Sequence, residues 1–173
     1  MKLLMIFSYF TDGFAYAGEA MTGKYIGAKD EVMLRQTVKW TFIWSMSIAA
    51  IFMGIYHFAG VPLLKVMTSD AQVIQAARPY LPWLLLMPVV GCAAFTWDGI
   101  YIGATASKDM RDSMLLAVVS FAGVWACGIF ALRFMAFDDA AYNTMAVHVL
   151  MAAYFAHLLA RTIYLSVRYR KII

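Results

Sequence analysis

The stretch "TFIWSMSIAAIFMGIYHFAGVPLL", residues 41–64, decides the fold, because no Asp, Glu, Lys or Arg interrupts the chain between Lys39 and Lys65. An α-helix rises about 1.5 Å per residue, so about 20 apolar residues cross the hydrocarbon core of a bilayer. The apolar positions do not alternate, which argues against the strands of a membrane barrel. Composition points the same way: of 173 residues 64% are hydrophobic and 14% charged, where a soluble domain carries about 25% charged. The expectation is an all-α polytopic membrane helix bundle. It forms a single domain with about five transmembrane helices, over residues 3–23, 40–60, 79–105, 113–132 and 140–160.

Lys and Arg in the connections set the orientation. Lys24, Lys29, Arg35, Lys39, Lys108, Arg111, Arg161, Arg168, Arg170 and Lys171 fall on one side, and Lys2, Lys65, Arg78 and Arg133 on the other. Ten against four places the C-terminus in the cytoplasm and, with five spans, the N-terminus of this chain outside. The start "MKLL" offers neither a cationic leader with a cleavage site nor a cytoplasmic lead-in, so the chain reads as part of a larger protein. The net charge of +4 follows from this loop bias and does not indicate nucleic-acid binding. The tail "VRYRKII" suits anchorage at anionic headgroups.

Proline and small residues shape the spans. Pro62 is expected to end the second helix, and Ser69 to cap the next segment with Gln72 in capping-box spacing. Pro88 lies within the third span and predicts a kink ten residues before Asp98. Small residues such as Gly18, Gly23, Gly99 and Gly103 predict close helix approach. Cys92 and Cys127, both in apolar spans, read as buried free thiols.

Three acids stand inside the spans: Asp12 and Glu19 in the first, Asp98 in the third. A carboxylate at the bilayer centre costs about 2.5–3.5 kcal/mol on insertion scales, so function has to justify it. "FTDGFAY" (10–16) echoes "FTWDGIYIGA" (95–104), and "IGAKD" (26–30) echoes "IGATASKD" (102–109). Read as a repeat crossing twice in one direction, the segments put Asp12 and Asp98 at one depth, roughly 15–18 Å above the inner boundary. Internal repeats with midplane sites characterise secondary transporters. Asp98, Asp12 and Glu19 are therefore candidates to face a hydrated cavity and bind a coupling cation, H⁺ or Na⁺, or a cationic solute, or else to hydrogen-bond a neighbouring helix. Tyr16, Trp97 and Tyr101 are close enough to line that cavity for aromatic cations.

Other chemistry finds little support. His148 and His157 are nine residues apart, which points them to opposite helix faces, and His57 is alone, so no helical zinc pair exists. There is no phosphate-cradling loop and no nucleophile elbow, so an enzyme is not expected, nor any cofactor beyond the coupling ion.

"SYFTDGFAYAGEAMTGKYIGAKD" (8–30) and "FTWDGIYIGATASKDMRDSMLL" (95–116) resemble segments of the multidrug and toxic compound extrusion (MATE) transporters, especially the bacterial branch named DinF. Family members have twelve helices in two six-helix lobes. The resemblance implies that this chain supplies helices eight to twelve of a C-terminal lobe and that the N-terminal lobe is missing. It also implies export of organic, often cationic solutes across the bacterial inner membrane in exchange for H⁺ or Na⁺, with Asp98 in the cation site and Asp12 and Gly13 matching the Asp-Gly of helix eight. A fragment of this kind is not expected to transport alone. The alternative is a small non-transporting membrane protein that acts through helix association.

Overall fold

A computed structural model describes residues 2–135 and 138–172 as helices joined by short connections. Ile173, the last residue of the tail read as a headgroup anchor, lies outside them, as do the side chains of Lys2 and Lys171. The elements are α1 (Lys2–Gly27), α2 (Glu31–Met67), α3 (Ala71–Ala77), a 3₁₀ turn (Arg78–Tyr80), α4 (Leu81–Gly103), α5 (Ser107–Phe134) and α6 (Asp139–Arg168), with a last 3₁₀ turn at Tyr169–Lys171. Among the described residues four segments are long and apolar enough to cross a membrane: Glu31–Val66, Ala71–Gly103, Ser107–Phe134 and Asp139–Arg168. Helix α1, which carries Asp12, Glu19 and Lys24 within 26 residues, is not among the four.

Aspartates set where three helices begin. The Asp30 carboxylate accepts the Met33 N–H at 2.9 Å, Asp70 accepts that of Gln72 at 2.8 Å, and Asp138 accepts that of Ala141 at 3.1 Å. Each satisfies an orphan donor and places negative charge at the positive end of the helix dipole. Two expectations are corrected here. The cap of α3 is Asp70 rather than Ser69, since the aspartate lies one residue closer to the first turn. Pro62 does not end α2, which continues to Met67; only one backbone hydrogen bond is lost at a proline, and the helix resumes beyond it.

Helix α4 lies at the centre, packed against α1, α2, α5 and α6, and its buried residues include Met87, Cys92, Ala94, Trp97 and Ile100, spread around the whole helix. Proline 88 is buried within it. Helices α5 and α6 form an antiparallel hairpin, and α5 turns most of its surface outward, burying Ser113, Ala117 and Leu132. Cys127 stands on that outer surface and is exposed, a correction to the reading of both cysteines as buried; Cys92 is buried.

Helices α1 and α4 run parallel and nearly touch. A Cβ on Gly99 would lie 2.1 Å from the Ala15 carbonyl oxygen, and one on Gly103 would lie 2.3 Å from that of Glu19. Glycine is required at both places because backbone occupies the space. The pairing of residue 15 with 99 and 19 with 103 fixes the register.

The two helices end alike. After "IGA" at 26–28 and at 102–104, Lys29 and Thr105 take positive φ values of 56° and 54°. Around them the amide hydrogen bonds match one for one: Lys29 to Ile26 and Asp30 to Tyr25, Thr105 to Ile102 and Ala106 to Tyr101. This is a Schellman cap made twice, with Lys and Thr in the place that glycine usually takes.

Candidate functional site

Asp98 sits in the last two turns of α4, one residue before the Gly99 contact with α1. Across from it, α6 presents a buried stripe of Phe155, Leu158, Arg161 and Leu165, positions three or four apart that share one helix face. Arg161 therefore points into the bundle. Its Nη2 lies 2.7 Å from Asp98 Oδ1, with the two side chains 10% and 14% exposed. The contact is close but poorly aligned. Among the described residues Asp98 Oδ1 has no aligned hydrogen bond, and Arg161 Nε, also buried, has none. A forked arginine–carboxylate pair would use both.

The surroundings hold α4 and α6 together beside this pair. The Tyr101 hydroxyl donates to the Leu165 carbonyl at 2.6 Å. Trp97 packs against Phe42, Tyr101 and Tyr169 with ring centres 4.7, 5.9 and 5.2 Å apart. At the same end, Arg168 pairs with Asp109 at 3.1 Å, and burial raises the Tyr169 hydroxyl above its ordinary pKa, against the opposing pull of Arg35.

Trp97 and Tyr101 stand beside Asp98, while among the described residues no ion pair or hydrogen bond joins Asp12, Glu19 or Tyr16 to it. Asp12 and Glu19 are half-buried on one flank of α1. Tyr16 is exposed on the outside of α1, while Trp97 and Tyr101 belong to the packed core. A cavity of about 480 Å³ opens among α1, α4, α5 and α6, lined by Phe7, Ser8, Met87, Phe95, Met151 and Tyr154 among others. None of Tyr16, Trp97, Tyr101 or the three acids is among the described residues that line this cavity. The aromatic rings prefer one another, and the buried carboxylate has found a cation.

The two aspartates stand at different distances from their helix ends. Asp12 lies 15 residues before the end of α1, but Asp98 lies five before the end of α4, about 22 and 8 Å along the axis. The segments are thus two separate echoes rather than one duplicated span. The Ala15–Gly99 register still brings the two aspartates within about one helical turn of each other's level, because α1 runs on past the end of α4.

Arg161 is the candidate residue that the sequence reading counted only among the basic residues of one side. Its signal was phase: it falls three residues after Leu158 and four before Leu165, on the apolar stripe. A second feature that went unread is a polar seam. Thr11, Thr22, Ser45 and Thr96 are fully buried, and among the described residues the Thr22 hydroxyl has no hydrogen-bond partner, while those of Ser45 and Thr96 face the Cys92 thiol. Within the seam the Cys92 thiol donates to the Ser45 carbonyl at 3.1 Å. His148 accepts the Trp83 indole N–H at 2.8 Å, and His157 stacks on Tyr154.

The MatE family model matches residues 1–130. DNA damage-inducible protein F of Escherichia coli (strain K12) is 39% identical over 122 residues, which are 70% of this chain and 27% of that protein. The chain thus spans about a quarter of the length of the curated relative it matches. No solved structure matches it. With three quarters of its length in the family model, and with the Asp-Gly segments of α1 and α4 inside that match, the chain belongs to the MatE family.

Proposed function

We propose that this chain forms part of the C-terminal lobe of a MATE-type antiporter of the bacterial inner membrane, which exports organic, often cationic solutes in exchange for H⁺ or Na⁺. Transport requires two lobes moving around a central site, so the activity belongs to the longer assembly and not to these helices alone. The observation that carries the reading is Asp98: a carboxylate placed inside an apolar helix bundle is costly to keep, and here its Oδ1 has no aligned hydrogen bond among the described residues. Asp12, within about a turn of its level on the neighbouring helix, is the second acid we assign to the cation path, and Glu19 the third.

The orientation follows from charge. Arg161 leaves the tail for the bundle, so ten minus one leaves nine basic residues against four, and the C-terminus is still assigned to the cytoplasm. The alternative of a small protein that acts through helix association gains no support from Gly99 and Gly103, which are taken up by α1 of the same chain.

The test replaces the matching segment of the E. coli relative with this chain and reconstitutes the product in vesicles. Efflux of a fluorescent organic cation driven by an imposed H⁺ or Na⁺ gradient is expected, and Asp98→Asn abolishes it in protein that remains monodisperse. Efflux that ignores the gradients, or that survives Asp98→Asn, overturns the reading.

A further inference from the structure

We propose that Arg161 is a tethered counter-ion that occupies Asp98 whenever no small cation does, and that Na⁺ binding requires its displacement. The proposal rests on the assignment of Asp98 as a cation site, and adds the residue that controls its occupancy.

Three observations carry it. The first is geometry: Nη2 approaches one carboxylate oxygen at 2.7 Å, while Nε makes no hydrogen bond among the described residues. A pair built for permanence would engage the Nε–Nη2 fork; one that leaves Nε unused is easier to give up. The second is position. Arg161 is the buried cation on an otherwise apolar α6 stripe, where its charge would be very costly without Asp98, so the two residues are matched to each other rather than to solvent. The third is size. With side chains 14% and 10% exposed, a dehydrated monovalent ion fits against Asp98 far more readily than a bulky organic cation.

The pair thereby neutralises itself in the empty state. When Na⁺ takes the carboxylate, the guanidinium loses its partner and must turn toward another acceptor, so ion occupancy on α4 is felt on α6. The lock between Tyr101 and Leu165 lies one turn away on both helices, which gives that change a direct route into the α4–α6 contact.

The experiment measures ²²Na⁺ binding and melting temperature in detergent, using the grafted protein of the efflux test. Because the self-occupied form is the more populated one, Arg161→Gln is expected to bind Na⁺ at least about tenfold more tightly than wild type. Its melting temperature should also depend on Na⁺, because the ion supplies the missing charge. The double variant Asp98→Asn/Arg161→Gln should fold and show neither effect, and tetraphenylphosphonium should not substitute for Na⁺. Unchanged or weaker Na⁺ binding in Arg161→Gln, a melting temperature indifferent to Na⁺, or a variant that stays unfolded even in high Na⁺ overturns the proposal. The readout is binding and not transport, so it can fail while gradient-driven efflux stands, and it can succeed where efflux fails.

Discussion

The two Asp-Gly pairs carry the same letters into opposite circumstances. At Asp98-Gly99 the glycine abuts the backbone of α1 and the acid is paired with Arg161. At Asp12-Gly13 nothing lies within 4 Å of a Cβ on the glycine, and the acid has no ion pair or hydrogen bond among the described residues. The threonines that precede the two aspartates, Thr11 and Thr96, are both fully buried. A motif thus fixes which side chains are available, and the neighbouring helices decide which of them are used. Helix α4 is surrounded on all sides, whereas α1 has α2 and α4 on one side and an open flank on the other.

This contrast can be broken by substitution, read as thermal unfolding in detergent micelles. The largest effect is expected at Asp98→Asn, which strands the Arg161 charge and should cost about 3–5 kcal/mol. The double variant Asp98→Asn/Arg161→Gln should recover part of that loss, and strict additivity of the two single changes would show that the residues do not interact. Next comes Gly99→Ala, whose methyl group would have to push α1 off α4, for about 1–3 kcal/mol. The sign should reverse at Gly13→Ala, which meets open space and removes a flexible residue from a helix interior, stabilising by about 0.5–1 kcal/mol. Asp12→Asn should fall within about 0.5 kcal/mol of wild type in stability and yet, on the proposed function, impair gradient-driven efflux. Equal losses at the two glycines would show that α1 and α4 do not meet in the register described.

Much of the fold was legible because the spans are long and the charges cluster between them; a 25-residue run without formal charge leaves few alternatives. The parallel course of α1 and α4 was also legible, since one crossing separates them, and so was the tight packing of their glycines. The site was less so. Placing Arg161 needed the phase of α6 in three dimensions, since a basic residue seven positions from Arg168 reads equally well as tail. Trp97 and Tyr101 were placed beside Asp98, but sequence alone does not tell whether a ring faces a cavity or another ring. The common level of the aspartates was read from loop lysines, although what sets it is the backbone contact at Gly99 and Gly103.

The twin elbows at Lys29 and Thr105 have a consequence for how such a chain can change over generations. Each joins two long helices through three residues clamped by their own amide bonds, so adding or deleting a single residue would swing everything downstream by about 100° about its axis. Length variation is therefore barred at these corners, and substitution is left as the way to vary them. Glycine in place of Thr105 is the change that would relax its backbone most.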